Sequence, residues 1–125
     1  MIEHTQVSVS DYATAKSFYQ KVLASLGYKM NMDMPEYKAA GFMEGGHTSF
    51  WIAQKEKVQP THVAFGASGK EAIDTFYKIA LENGAKDNGK PGPRPDYAPG
   101  TYAAFVRDLY GNNIEAVWFD PAAEK

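Results

Sequence analysis

The chain has 125 residues, with 13 Lys and Arg against 15 Asp and Glu, so its formal net charge at pH 7 is −2. This length predicts a single domain or two fused half-domains, and the slight negative charge argues against a nucleic-acid partner. Because the chain contains no Cys, disulfides, thiolate nucleophiles and Cys-based metal sites are excluded. We find no apolar run of about 18 residues and no signal-peptide pattern, so we expect no membrane association and a cytoplasmic location.

An internal repeat of about 58 residues organises the chain. The matching positions are His4 and His62, Phe18-Tyr19 and Phe76-Tyr77, and Gly27-Tyr28-Lys29 and Gly84-Ala85-Lys86. Three pairs in register predict a duplication. We place the two repeats at about 2–56 and 60–119, within a single domain over 1–125.

The first repeat predicts one strand, one helix and three further strands. Apolar and polar residues alternate over 2–9, which predicts a strand with His4 on its polar face. Apolar residues spaced three and four apart predict a helix over 11–26, capped by Ser10 or Asp11. The later strands are predicted over 28–34, 37–43 and 48–54.

The second repeat predicts the same order of elements. Alternation over 61–67 predicts a strand with His62 on its polar face, and an apolar stripe predicts a helix over 69–83. Ser68 begins a capping-box sequence and is the expected cap. The later strands are predicted over 85–88, 101–107 and 113–119. The fold class is therefore α+β, with two βαβββ modules whose helices each leave one sheet face free to line a groove.

Residues 88–100 (NGKPGPRPDYAPG) are expected to be irregular throughout, because they contain four Pro and three Gly. A loop of this length is either a lid over a functional site or a stiff surface loop, and the sequence leaves both open. Residues 121–125 are expected to form a frayed tail.

Three polar residues on the free sheet faces form a candidate metal site. His4 and His62 stand at equivalent places in the two repeats, and Glu115 takes the opposite face of its strand from its apolar neighbours. If the two sheets curl into one half-barrel, these three side chains meet on its concave face. Two His and one carboxylate suit Fe(II) or another divalent ion. The alternative is that the His residues are structural or exposed and that Glu115 faces solvent.

A series of short segments carries a resemblance to a known family. The segments are Ile2-Glu3-His4, Val9-Ser10-Asp11, Ala15 through Phe18-Tyr19 to Leu26-Gly27-Tyr28, Thr61 through Phe65, and Asp108 through Glu115. In order and spacing they resemble the vicinal oxygen chelate superfamily of glyoxalase I, fosfomycin- and bleomycin-resistance proteins and extradiol dioxygenases. The resemblance covers about residues 2–119.

The resemblance implies a fold, an assembly and a cofactor. The two βαβββ modules are expected to form a U-shaped open barrel of the glyoxalase type, usually completed by dimerisation, so we expect a homodimer. His4, His62 and Glu115 occupy the positions of the metal ligands, which implies a divalent ion (Fe, Mn, Ni, Zn or Co).

One departure from the family pattern affects the expected activity. Members of the glyoxalase I type carry a carboxylate on the last strand of the first module, as a fourth ligand and catalytic base. The corresponding strand, 48–54, has no carboxylate, and Phe50 or Trp51 fills that position. This puts the usual isomerisation of glutathione hemithioacetals in doubt, and the catalytic residues stay unassigned.

Several side chains are candidates to bind a small-molecule substrate. Trp51, Tyr97 and Tyr102 are candidates to line the cavity, with core packing as the alternative for each. Arg94 is a candidate to bind an anionic substrate through its planar fork, with an exposed surface role as the alternative. The expected function is a metal-dependent enzyme of the lyase, isomerase or dioxygenase type that acts on a small oxygen-rich substrate. The alternatives are a metal-free protein that sequesters small molecules or drugs, as bleomycin-resistance proteins do, and a structural or partner-binding module.

Overall fold

Two βαβββ modules follow one another along the chain. A computed structural model describes residues 1–123. The first module consists of β1 (Thr5–Val9), α1 (Tyr12–Ala24), β2 (Lys29–Met34), β3 (Ala39–Glu44) and β4 (His47–Gln54), with a short 3-10 helix at Pro35–Tyr37. The second consists of β5 (His62–Gly66), α2 (Lys70–Glu82), β6 (Lys86–Pro93), β7 (Thr101–Arg107) and β8 (Asn113–Phe119). The predicted α+β class, with two such modules in an open barrel, is confirmed. Of the predicted tail over 121–125, residues 121–123 form a turn, and residues 124 and 125 lie outside the described residues.

Each module forms a separate four-stranded sheet of the same topology. The strand orders are β1-β4-β3-β2 and β5-β8-β7-β6. In both sheets the first strand pairs parallel with the last, and the other pairs are antiparallel. Among residues 1–123, no helix is long and apolar enough to cross a membrane.

The two helices begin in different ways. At α1 the carboxylate of Asp11 accepts hydrogen bonds from the backbone N–H groups of Ala13 and Thr14, so the predicted cap is confirmed. At α2 the cap is Gly69, with no side-chain hydrogen bond, so the prediction that Ser68 caps this helix is wrong. The helix begins one residue later than the capping-box pattern requires.

Strand β6 corrects the prediction that residues 88–100 are irregular throughout. Residues 86–93 pair with β7, and the register shifts on either side of Gly89 mark bulges. Because β6 is an edge strand, Pro91 and Pro93 fit where their missing N–H groups are not needed by a neighbouring strand. The irregular loop is therefore shorter and begins at Arg94.

One continuous core lies between the helix-bearing faces of the two sheets. Val7, Phe50 and Ile52 face α1 in the first module, and Phe65 and Ile114 take the same role in the second. Between the modules, the ring of Phe65 lies 5.0 Å from that of Phe50. The modules thus pack through the faces that carry the helices, and we call the other face of each sheet its open face.

A buried polar cluster also joins the modules. The hydroxyl of Tyr19 in α1 lies 2.5 Å from Oδ2 of Asp108, which follows β7. The same carboxylate accepts hydrogen bonds from the backbone N–H groups of Tyr110 and Asn112 and from the Asn112 amide. Burial, followed by the charge of Asp108, raises the pKa of Tyr19 well above its usual value. Burial also raises the pKa of Tyr110 to about 12.

Candidate functional site

The open face of the first sheet carries His4 and Trp51. Gln6 is the register partner of Trp51, and the alternation along β1 places His4 on the same face. Both line a shallow depression whose remaining lining residues are Glu3, Gly46, His47 and Thr48. Both predicted residues therefore belong to one surface.

Glu3 connects the two histidines of this depression. Its carboxylate lies 2.5 Å from Nδ1 of His4, and its backbone oxygen accepts a hydrogen bond from Nε2 of His47 at 2.7 Å. The hydrogen bond with His4 lowers the pKa of the Glu3 carboxyl, and the charge of His47 acts in the same direction. Because Nδ1 of His4 is engaged, Nε2 is the nitrogen left to bind a ligand.

Trp51 lies flat against the backbone of β3. A Cβ atom added at Gly41 would come within 3.0 Å of the Trp51 ring and 2.8 Å of the Thr48 side chain. Only a glycine at position 41 therefore lets the indole lie against the sheet. The strand itself reads HTSFWIAQ and has no carboxylate; of the two residues that the resemblance offered at the fourth-ligand position, Trp51 lies on the open face and Phe50 is buried in the core.

The open face of the second sheet carries His62 and Glu115. Nε2 of His62 lies 2.9 Å from Oε1 of Glu115. The side chain of Glu115 is only 8% exposed, whereas that of His62 is 51% exposed. A buried carboxylate is costly unless it has a partner, and no other side chain among residues 1–123 hydrogen-bonds to this one. The pair therefore presents one nitrogen and one oxygen donor at the surface of the sheet.

Phe105, Arg94 and Tyr97 extend this second surface. Phe105 is the register partner of Glu115, and its ring centroid lies 6.3 Å from that of His62. The guanidinium carbon of Arg94 lies 5.6 Å from the centroid of the Phe105 ring. Tyr97 meets the same ring edge-on at 6.5 Å. Two of the predicted substrate-binding residues thus lie beside the His62–Glu115 pair.

Tyr102 takes the opposite face of β7. Its ring packs against the core, and its hydroxyl donates a hydrogen bond to Asp74 of α2 at 2.7 Å. The predicted contact of Tyr102 with a substrate would therefore have to be made from the helix-bearing face. Phe105, in contrast, lies on the open face but was not predicted from the sequence. Its neighbours Ala104 and Val106 are also apolar, so no alternation of apolar and polar residues marks the open face of β7.

The three predicted metal ligands do not all meet within one chain. His62 and Glu115 lie together, but among residues 1–123 no group of three or more His, Asp or Glu side chains is arranged to hold a metal ion. The cause is the packing of the modules through their helix-bearing faces, which leaves the two open faces apart. His4 remains on the first surface and the His62–Glu115 pair on the second.

Comparisons with known proteins agree with this fold. Residues 1–116 match the family model of the Glyoxalase/Bleomycin resistance protein/Dioxygenase superfamily. A glyoxalase/bleomycin resistance protein from Albidiferax ferrireducens T118 superposes with a TM-score of 0.81 at 25% identity, over 93% of this chain and 97% of the other. A lactoylglutathione lyase from Agrobacterium tumefaciens superposes with a TM-score of 0.72 at 19% identity, over 99% and 98%. No curated protein matches the chain.

Proposed function

This chain belongs to the Glyoxalase/Bleomycin resistance protein/Dioxygenase superfamily, and we propose that it is a divalent-metal-dependent enzyme acting on a small oxygen-rich substrate. The observation that carries the proposal is the His62–Glu115 pair: a buried carboxylate on an open sheet face, 2.9 Å from an imidazole that is half exposed. Nitrogen and oxygen donors of this kind suit Fe, Mn, Ni, Zn or Co. A bound ion would polarise neighbouring oxygens of the substrate.

The third ligand is His4, contributed by a second copy of the chain. Within one chain His4 is not grouped with His62 and Glu115, so an intact set needs the first open face of one copy to meet the second open face of another. Two edge strands, β1 and β5, each have one unpaired side, and unpaired edges favour association. In this arrangement the protein is a homodimer with two equivalent metal sites.

The surrounding residues have separate roles in this arrangement. Glu3 holds Nδ1 of His4 and fixes which ring nitrogen faces the ion. Trp51 supplies a flat apolar wall from the first surface, and Tyr97, which is exposed and packs edge-on against the buried Phe105, supplies an aromatic ring from the second. Because β4 has no carboxylate, a base for proton transfer must come from elsewhere, and His47, which contacts Glu3, is the candidate.

The first experiment measures metal content by mass spectrometry after chelation and reloading with each of the five ions. We expect about one ion per chain in the wild type, and its loss in His4→Ala, His62→Ala and Glu115→Gln. His47→Ala is the matched control, because it removes the remaining histidine without removing a proposed ligand. If the wild type binds no ion under any loading condition, metal dependence is refuted.

Mixing two variants that are each expected to lack the ion tests whether the site is shared between copies. A heterodimer of a His4→Ala chain and a His62→Ala chain keeps one complete ligand set if ligands come from both copies, and none if each site lies in one chain. We expect one ion per purified heterodimer and none in either parent homodimer. A heterodimer without bound metal would contradict a site shared between copies. The metal contents of the single variants would then decide whether the site lies within one chain.

A metal-free binding protein of the bleomycin-resistance type is the second candidate. The observation that favours it is the flat Trp51 ring, which is held on an open face and has no carboxylate beside it on the strand. Binding of an aromatic ligand that is lost in Trp51→Ala and retained in His4→Ala would support this candidate. The opposite result would support the enzyme.

A further inference from the structure

Arg94 is a cation without an acidic partner, on the open face that carries the His62–Glu115 pair. Among residues 1–123 it takes part in no salt bridge. Asp87, the carboxylate of β6, is engaged by the N–H of Gly89 and by Tyr77. The positive charge of Arg94 is therefore available to a ligand.

The guanidinium is held in place by the backbone of β6, the strand that Arg94 follows. Nη1 donates hydrogen bonds to the carbonyl oxygens of Gly92 and Pro93, and Nη2 donates one to that of Lys90. An arginine has five N–H donors, so these three bonds leave two donors over. Because the guanidinium is already held in place, less conformational entropy is lost from this side chain when a ligand binds.

A glycine makes room for this arrangement. A Cβ atom at Gly89 would lie 2.9 Å from Cδ1 of Phe105 and 3.3 Å from Nη2 of Arg94. The backbone there has a φ of +153°, which side-chain-bearing residues rarely adopt. The bulge in β6 and its glycine thus let the guanidinium lie over the Phe105 ring at 5.6 Å.

We propose that Arg94 binds a carboxylate of the substrate, so that the substrate class is small carboxylic acids. This rests on the proposed function, because the neighbouring oxygens are assigned to the ion at His62 and Glu115. Two remaining N–H donors match the two oxygens of a carboxylate, whereas a phosphoryl group has three oxygens to satisfy. The centroid of the His62 ring and the guanidinium carbon of Arg94 lie 6.3 Å and 5.6 Å from the centroid of the Phe105 ring, so they lie no more than about 12 Å apart.

Within this limit, one small acid can place oxygens at the His62–Glu115 pair and a carboxylate at Arg94. Tyr97, which meets Phe105 edge-on and is 60% exposed, stands at the rim of the same surface. Arg94 is then a substrate-binding residue that sets specificity by charge.

The test compares 3,4-dihydroxybenzoate with its neutral amide, 3,4-dihydroxybenzamide. Both have two adjacent oxygens on a flat ring, and only the first has a carboxylate. Dissociation constants are measured by calorimetry on the full chain loaded with Zn, which is redox-inert. The variants are Arg94→Met and Arg94→Lys, and Arg107→Met is the matched control, since Arg107 is exposed and donates to the backbone oxygen of Gly111.

We expect the wild type to bind the acid at least about tenfold more tightly than the amide, as one charge-assisted pair allows. The preference should vanish in Arg94→Met, persist in Arg107→Met and be partly kept by Arg94→Lys, which retains the charge without the fork. Equal affinities in the wild type, no measurable binding of the acid, or a preference that survives Arg94→Met would each overturn the proposal.

Metal content of the same samples separates this proposal from the proposed function. If the chain holds no ion and still prefers the acid through Arg94, the metal-dependent function fails and the carboxylate site stands. If the ion is held and the preference is absent, the function stands and the carboxylate site fails.

Discussion

Tyr19→Phe removes a single hydroxyl from the joint between the two modules. Tyr19 has no exposed surface, and its hydroxyl lies 2.5 Å from Oδ2 of Asp108. A hydrogen bond to a charged group contributes about 1.5–3 kcal/mol to stability. Asp108 keeps three other donors, from Tyr110 and Asn112, so the substitution does not leave the carboxylate unpaired. We therefore expect the free energy of unfolding to fall by about 2 kcal/mol, near the middle of that range.

The assay is urea denaturation at pH 7, followed by tryptophan fluorescence and by circular dichroism. Tyr37→Phe is the matched control, because Tyr37 is 70% exposed; its effect should stay within about 0.5 kcal/mol. A double-mutant cycle with Asp108→Asn should give a coupling energy of about 1 kcal/mol or more, since the two side chains are in direct contact. A loss below about 0.5 kcal/mol for Tyr19→Phe, comparable to surface changes, would refute the assignment of this hydrogen bond to the stability of the joint.

Three further predictions concern pH, a helix cap and a glycine. The pKa of Tyr19 is raised above the unfolded value of about 10. The stability that Tyr19 contributes is therefore present below pH 10 and is lost as the pH rises further. Above pH 10, the urea midpoint should fall less steeply with pH in Tyr19→Phe than in the wild type. Asp11→Ala should cost about 1 kcal/mol by loss of the α1 cap, whereas Ser68→Ala, which removes no cap, should be near neutral in thermal melts. Gly41→Ala should cost about 1–3 kcal/mol through overpacking against Trp51, and Gly66→Ala, where an added Cβ meets nothing within 4 Å, is the control in the same denaturation assay.

The elements that the sequence predicts well are those with a strong local signal. The alternation over 61–67 and over 113–119 fixes which residues face the helix, and β5 and β8 match these ranges within one residue at each end. The same two-residue period puts His62 and Glu115 on one face before any contact is known. The cap at Asp11 is equally local, since its carboxylate bonds to N–H groups two and three residues ahead.

The predictions that fail depend on neighbours distant in sequence. Pro91 and Pro93 argue against a strand locally, yet β6 pairs with β7 because an edge strand tolerates missing N–H donors. Phe105 looks like a core residue, yet its ring lies on the open face under Arg94. No local pattern states which faces of the two modules pack together.

The packing of the modules decides how the site is assembled. Two modules of the same topology would give two equivalent half-sites if they carried the same residues at corresponding positions, but their residues differ. The first open face has His4 and an indole, and the second has His62, a buried carboxylate and a guanidinium held by backbone carbonyls. Neither surface alone offers the three ligands of the proposed ion. Under the proposed arrangement, dimer formation and ion binding are linked equilibria, so the ion stabilises the dimer and the dimer raises the affinity for the ion by the same factor.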